Sequence, residues 1–424
     1  MVDRKGLFSL SPLAVFLVVY VVSSLVAGDF YRVPVSSVFL LACIFAVAIS
    51  RGTMRERVKV FARGAGKPKV LLMIWIFILA GAFAGTAEDI GSVDSTVNAA
   101  LHVLPPKMLL AGIFLSACFI SMAIGTSVGT VAALMPLGAG VAAQTGLGTA
   151  MMAGVVVGGA LFGDNLSFIS DTTIASTRAA GCEMKDKFFT NIWIVLPAML
   201  IVTIIYLWIG RDVSLVAPAG DVNLLKIVPY LLLIVLAIAG CDVLILLVAG
   251  IGSIAILGWC YGDFGWVGWL ESMGRGVGSM SDLIIVTMLA GGLLELIREG
   301  GGLDFIISRL TRHINGPKGA QGSIAAIVCL ANICTANNTI AIITVGDIAR
   351  DIAERFGVPA RKTASLLDTF SCFTQGFLPY GAQILMASSL CAISPTAILP
   401  FLFYPLIMGL SAVASIIFDF PKLK

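Results

Sequence analysis

Phe162-Gly163-Asp164-Asn165-Leu166-Ser167-Phe168-Ile169-Ser170-Asp171-Thr172-Thr173 puts two carboxylates and four hydroxyls within ten residues, flanked by the apolar residues 151–161 and by Ile174 and Ala175. The flanks predict a helix at membrane depth. An ionised carboxylate there is costly unless it is hydrated, paired or bound to a cation, so intramembrane acids are read as functional. Asp164 and Asp171 are seven residues apart, about two turns, and an unbroken helix would set them on one face. Gly163 and the Asn-x-Ser run predict instead that the helix unwinds and exposes carbonyl oxygens. Sodium is a hard cation that takes oxygen ligands. The candidate ion- and proton-binding residues are therefore Asp164, Asn165, Ser167, Ser170, Asp171, Thr172 and Thr173, with Na⁺ at Asp164 and Asp171.

The whole chain supports a membrane setting. Hydrophobic residues make up 58% of it and charged residues 12%, against about 25% charge in a soluble domain. Mean hydropathy is +1.02, and uncharged stretches such as 71–87 and 192–210 approach the roughly 20 residues that cross hydrocarbon as a helix. A net charge of +3 with no basic patch gives nucleic acid no footing. The nine cysteines include no Cys-x-x-Cys pair and have no histidine beside them, and they read as small apolar packing residues. No cofactor is implied, and the two histidines, His102 and His313, fall in expected loops. Residues 13–27 read as a retained first helix rather than a cleaved signal.

Displacing the chain against itself by about 210 residues aligns Ala80-Gly81 with Ala290-Gly291, and Gly91 and Asp94 with Gly301 and Asp304. Such internal repeats mark transporters. Residues 51–69 carry Arg51, Arg55, Arg57, Lys59, Arg63, Lys67 and Lys69 against Glu56, which places that loop in the cytoplasm, whereas the matching 261–280 has Arg275, Asp263, Glu271 and interfacial tryptophans and belongs outside. The next loops exchange sides, residues 88–106 being acidic and 298–318 carrying Arg298, Arg309, Arg312 and Lys318. The expected fold is an all-α polytopic membrane protein of two inverted-topology repeats. It has about ten transmembrane helices, two re-entrant hairpins and two broken helices, with both termini in the cytoplasm. The first repeat covers 1–210, with its hairpin at 107–143 and broken helix at 148–177; a linker covers 211–225. The second covers 226–424, with hairpin 320–345 and broken helix 363–391. Residues 178–187 and 347–362 are expected as cytoplasmic loops.

The hairpin tips offer Gly125, Thr126, Ser127 and Thr130 in one half and Thr335, Asn337, Asn338 and Thr339 in the other, small or polar residues where backbone turns inside the membrane beside a cavity. The second broken helix contributes Gln375, with Gly376 and Pro379 to break it but no acid at the break. Asp242, Asp282, Glu295 and Asp368 fall near expected helix ends, where capping or snorkelling competes with transport; Asp368 is the reserve candidate for the site. The bland reading of the many glycines is close helix packing.

The block from Phe162-Gly163-Asp164 through Ser170-Asp171-Thr172-Thr173, with Asn337-Asn338-Thr339-Ile340-Ala341-Ile342 and residues 350–359, resembles the NhaC-type sodium/proton antiporter family of the ion-transporter superfamily over roughly residues 70–418. The resemblance implies a secondary antiporter whose repeats and hairpins meet at a midplane site. The chain departs from the family pattern at Asn165, where a lysine is common, at Phe168, where a proline is common, and at Pro379-Tyr380-Gly381, where Pro-Trp-Asn is frequent.

The expected function is exchange of Na⁺ for H⁺ across a cytoplasmic membrane by alternating access, with Asp164 and Asp171 binding the two ions competitively. The chain is not expected to be an enzyme. Its partners are the lipid bilayer, monovalent cations and protons, and a homodimer is compatible with the sequence. A second reading couples Na⁺ or H⁺ to a small organic acid or amino acid. A third, an intramembrane aspartyl protease, wants Gly-x-Gly-Asp, and Leu161 stands at the first of those positions.

Overall fold

The computed structural model describes residues 2–27, 33–103, 105–167, 170–213, 221–239, 241–302, 305, 314 and 316–421, and among these it is helical with no strand. Phe168, Asp304, Arg309, Arg312, His313 and residues 214–220 of the expected linker lie outside the described residues. An all-helical plan is what hydrocarbon dictates, because a helix satisfies its own backbone polar groups.

The first half runs α1 (Val2–Ser9), α2 (Ser11–Ala27), α3 (Val35–Ile49), α4 (Met54–Ala65), α5 (Pro68–Asp89), α6 (Ser92–Val103), α7 (Leu109–Ile124), α8 (Ser127–Thr145), α9 (Thr149–Leu166), α10 (Asp171–Ala180) and α11 (Met184–Gly210). The second runs α12 (Leu224–Ile238), α13 (Val243–Tyr261), α14 (Trp266–Ser279), α15 (Ser281–Glu299), α16 (Gly316–Thr335), α17 (Asn338–Phe356), α18 (Ala360–Phe377), α19 (Ala382–Cys391), α20 (Pro395–Ile398) and α21 (Phe403–Ile417). Among the described residues six stretches are long and apolar enough to cross a membrane, eight if two bent pairs each count as one, and four shorter apolar helices accompany them.

The broken segments sit at the centre. Every residue of α9 from Met152 to Leu166 is buried, and so is every residue of α18 from Lys362 to Cys372. α11 runs along the periphery, where Trp193, Ile204 and Trp208 stand exposed; bilayer, not water, is the medium such a surface fits.

Several stretches expected as loops are helical. Residues 51–69 contain α4, started by a capping box in which Thr53 accepts from the Glu56 backbone and donates its own backbone N–H to the Glu56 carboxylate. Those hydrogen bonds hold Glu56 below the usual carboxylate range. Residues 261–280 contain α14, α17 continues through 347–356, Lys187 lies in the first turns of α11, and His102 is in the last turn of α6. The reason is common to all: charge on an amphipathic helix lowers its hydropathy as much as a loop does. Asp368, expected near a helix end, lies in the middle of α18.

Candidate ion-binding site

The site starts where helices begin and end inside the protein. α7 stops at Gly125 in the left-handed conformation (φ 76°), Thr126 is extended (φ −144°, ψ 124°), and α8 begins at Ser127. The same turn recurs 211 residues later: Ala336 has φ 48°, Asn337 is extended (φ −150°, ψ 114°), and α17 begins at Asn338. Each turn delivers a helix N-terminus, with its unsatisfied N–H groups and positive dipole end, to the protein interior.

Asp164 lies against the first of these. Its Oδ1 accepts from the Ser127 backbone N–H (3.1 Å), and its Oδ2 accepts from Ser127 Oγ (2.5 Å) and from Asn338 Nδ2 of the other tip (3.4 Å). Gln383 Nε2 donates to Ser127 Oγ (2.8 Å), and Gln375 Nε2 donates to Gln383 Oε1 (2.9 Å), so a hydrogen-bonded chain joins the acid to both helices of the second broken segment. Both Asp164 oxygens act as acceptors, the arrangement that suits an ionised carboxylate. Gly163 permits the close approach: a Cβ there would collide with Ser121 on α7.

α9 ends at Leu166 and α10 begins at Asp171, with Ser170 capping it by accepting from the Thr173 N–H. The break frees carbonyl oxygens, but side chains claim them. Ser170 and Thr172 donate to Asp164 O (2.9 and 3.0 Å), and Thr173 donates to Ser167 O (2.7 Å). Lys187 and Asn191 donate to Asn165 O (2.8 and 3.0 Å). Ser167, Ser170 and Thr173 thus hold the break together, and Asn165 turns its side chain to Tyr404 and Asp368.

One cavity of ≈ 210 Å³ brings the two halves together. Asp164, Asp171 and Thr172 line it from the first broken segment, Gly125, Thr126 and Ser127 from one tip, Asn337, Asn338 and Thr339 from the other, and Gln375 and Gln383 from the second broken segment. Asp164 is buried, whereas Asp171 is exposed, in the first turn of α10 where the dipole favours an acid. Asp242 also lines the cavity while capping α13 through the Leu244 N–H. Among the described residues no Lys, Arg or His lines it. Thr130 and Thr335 do not line it; their hydroxyls bond Thr126 O and Asn337 O within the tips. Thr335 faces a smaller cavity of ≈ 60 Å³ with Lys67, Glu295 and Arg298, and this shares Met73, Asn337 and Ala382 with the first.

Asp368 lies apart from the cavity, buried and paired with Lys187 (3.0 Å). Sequence reasoning missed Gln383 in the cavity and, around Asp368, it missed Lys187 and Asn191. The signal of the last two was an i, i+4 polar pair entering an otherwise apolar helix, masked by the neighbouring Lys185 and Asp186. Among the described residues no three His, Cys, Asp or Glu side chains are grouped to hold a metal ion.

The sequence profile of the Na⁺/H⁺ antiporter family matches residues 7–211 and 220–420. The Na⁺/H⁺ antiporter NhaC of Alkalihalophilus pseudofirmus is 22% identical over 97% of this chain and 95% of its own. NhaC of Bacillus subtilis is 24% identical over 84% of each chain. The malate-2H⁺/Na⁺-lactate antiporter of Bacillus subtilis is 23% identical over 78% of this chain and 77% of its own.

Proposed function

Because this chain belongs to the Na⁺/H⁺ antiporter family, we propose that it exchanges Na⁺ for H⁺ across a cytoplasmic membrane by alternating access, with Asp164 taking either ion in turn. The observation that carries this reading is the cavity, lined by Asp164, Asp171 and Asp242 and, among the described residues, by no basic side chain. A carboxylate withdrawn from water needs a proton or a cation beside it. If the empty, charged site cannot reorient, every passage carries one ion or the other, and exchange is obligatory. Asp171 and Asp242, both exposed, draw cations in. The Thr126 and Thr339 hydroxyls and Gln375 Oε1, which is buried and has no hydrogen-bond partner, complete the Na⁺ ligands.

The two halves are read as inverted repeats. The recurring tip geometry supports this, as does a pair of reciprocal ion pairs, Arg63 with Glu299 and Arg275 with Asp89, in which the two arginines stand 212 residues apart in sequence and the two acids 210. Basic residues around α4 put that end, and both termini, in the cytoplasm.

In vesicles containing purified protein and a pH-sensitive dye, a Na⁺ pulse should move protons in the wild type. Asp164→Asn should reach the membrane yet bring that signal to background. Robust exchange by Asp164→Asn would overturn the assignment.

A second reading, exchange of an organic acid, is favoured by the malate/lactate relative. Its substrate carboxylate would want a cation in the cavity, but Lys187 is engaged with Asp368. Counterflow of labelled organic acids separates the two. An intramembrane protease is not proposed, since the family is one of transporters.

A further inference from the structure

Lys187 is 1% exposed and Asp368 fully buried, and neither lines the cavity of the proposed exchange site. Lys187 Nζ has three hydrogens and three oxygen neighbours from three different elements. These are Thr173 Oγ1 of α10 at 2.6 Å, Asn165 O at the end of α9 at 2.8 Å, and Asp368 Oδ2 of α18 at 3.0 Å. The set consists of a hydroxyl, a carbonyl freed by a helix break and a carboxylate, the ligand types that hold a monovalent cation in a broken-helix transporter. Two further oxygens of the same cluster, Asp368 Oδ1 and Asn191 Oδ1, are buried and have no hydrogen-bond partner. The pocket therefore offers more acceptors than the ammonium and its neighbours use.

We propose that Lys187 is a tethered cation filling a second, built cation site, formed by Asn165 O, Thr173 Oγ1 and Asp368, so that Asp368 is permanently neutralised and withheld from exchange. The tether does two things a free ion would not. It pins the carbonyl next to Asp164 at a fixed place, and it does not leave when the exchanged ion does. Lys187 is accordingly a positioning residue, acting on Asp164 through the helix break. The oxygen distances suit an ammonium, and K⁺ is the physiological alkali ion nearest to it in size. A free cation in the cage should thus be NH₄⁺ or K⁺ in preference to Na⁺, which also separates this site from the one at Asp164.

Removing the ammonium while leaving the carboxylate exposes an uncompensated buried charge that a free ion of the right size can satisfy. Purified wild type, Lys187→Met and Lys187→Met/Asp368→Asn would be melted in choline, Na⁺, K⁺ and NH₄⁺ chlorides. In Lys187→Met, K⁺ or NH₄⁺ should raise the melting temperature above its value in choline, more than Na⁺ does. The double variant, with no charge left to satisfy, and the wild type, whose cage is filled, should show no such K⁺ or NH₄⁺ effect. Should Lys187→Met not survive extraction in choline, its recovery in K⁺ or NH₄⁺ alone is the expected result. Equal melting of Lys187→Met in choline, K⁺ and NH₄⁺, or failure to recover it in any salt, overturns the proposal. Each shift from choline is compared with the same shift in the wild type and in the double variant, which keep Asp164, so the outcome is independent of whether Asp164 is the exchange site.

Discussion

Asp164 and Asp171 belong to one motif, yet the fold gives them unequal surroundings. Asp164 is buried and holds three hydrogen bonds, whereas Asp171 lines the same cavity and is exposed. Asp171→Asn should therefore retain exchange at saturating Na⁺ while raising the Na⁺ concentration for half-maximal rate, a contrast with the complete loss expected of Asp164→Asn. The same dose-response measurement tests Ser127. Its hydroxyl favours the ionised form of Asp164, so without it the proton competes better at fixed pH. A hydrogen bond to a charged group contributes about 1.5–3 kcal/mol, so Ser127→Ala should raise the half-maximal Na⁺ concentration by roughly tenfold or more, with expression unchanged. An unaltered Na⁺ dependence would leave Ser127 a packing residue.

At the scale of elements, the depth of Asp164 depends on how closely α9 lies on α7. Gly159 and Gly163 face α7 with no room for a Cβ, Gly159 against Ala117 and Gly163 against Ser121. Overpacking of this kind typically costs about 1–3 kcal/mol. Gly163→Ala should lower the melting temperature and, by moving the neighbouring Asp164 away from Ser127, reduce exchange well beyond what the loss of stability explains. Normal exchange with a lowered melting temperature would show that the site tolerates the shift. A second clasp lies where α4 meets α15, where Lys67 pairs with Glu295 at 2.5 Å beside the smaller cavity. Glu295→Gln, which frees Lys67 at that mouth, should alter the rate at saturating Na⁺ more than the apparent Na⁺ affinity, because the pair lies outside the acid-lined cavity.

The whole molecule carries the question of orientation. Lys59 on α4 and Gly265, which precedes α14 with open space around it, are both exposed and belong to stretches of opposite charge character. In a background lacking native cysteines, Cys260 above all since it is exposed, Lys59→Cys should be shielded from an impermeant thiol reagent in intact cells while Gly265→Cys reacts. Equal labelling would overturn the inverted arrangement.

Much of this was legible in the sequence. Low charge and long apolar runs settle the solvent, and solvent settles an all-helical plan, because no other open backbone arrangement satisfies its polar groups in hydrocarbon. Gly125-Thr126 and Asn337-Asn338 marked their turns locally, and the Asp164 to Thr173 block marked a helix break by its own composition. What the sequence left open were relations between distant residues. Whether a freed carbonyl meets a cation or a lysine depends on where α11 passes, and Lys187 looked like loop charge until the fold buried it against Asp368, 181 positions away. The unequal standing of Asp164 and Asp171 likewise arises from Ser127 and Asn338, which only packing brings to one acid, and from Gln383, which holds Ser127. Local propensity and solvent act on neighbouring residues and can be read in order; desolvation and charge pairing depend on distances that the chain acquires only when it is folded.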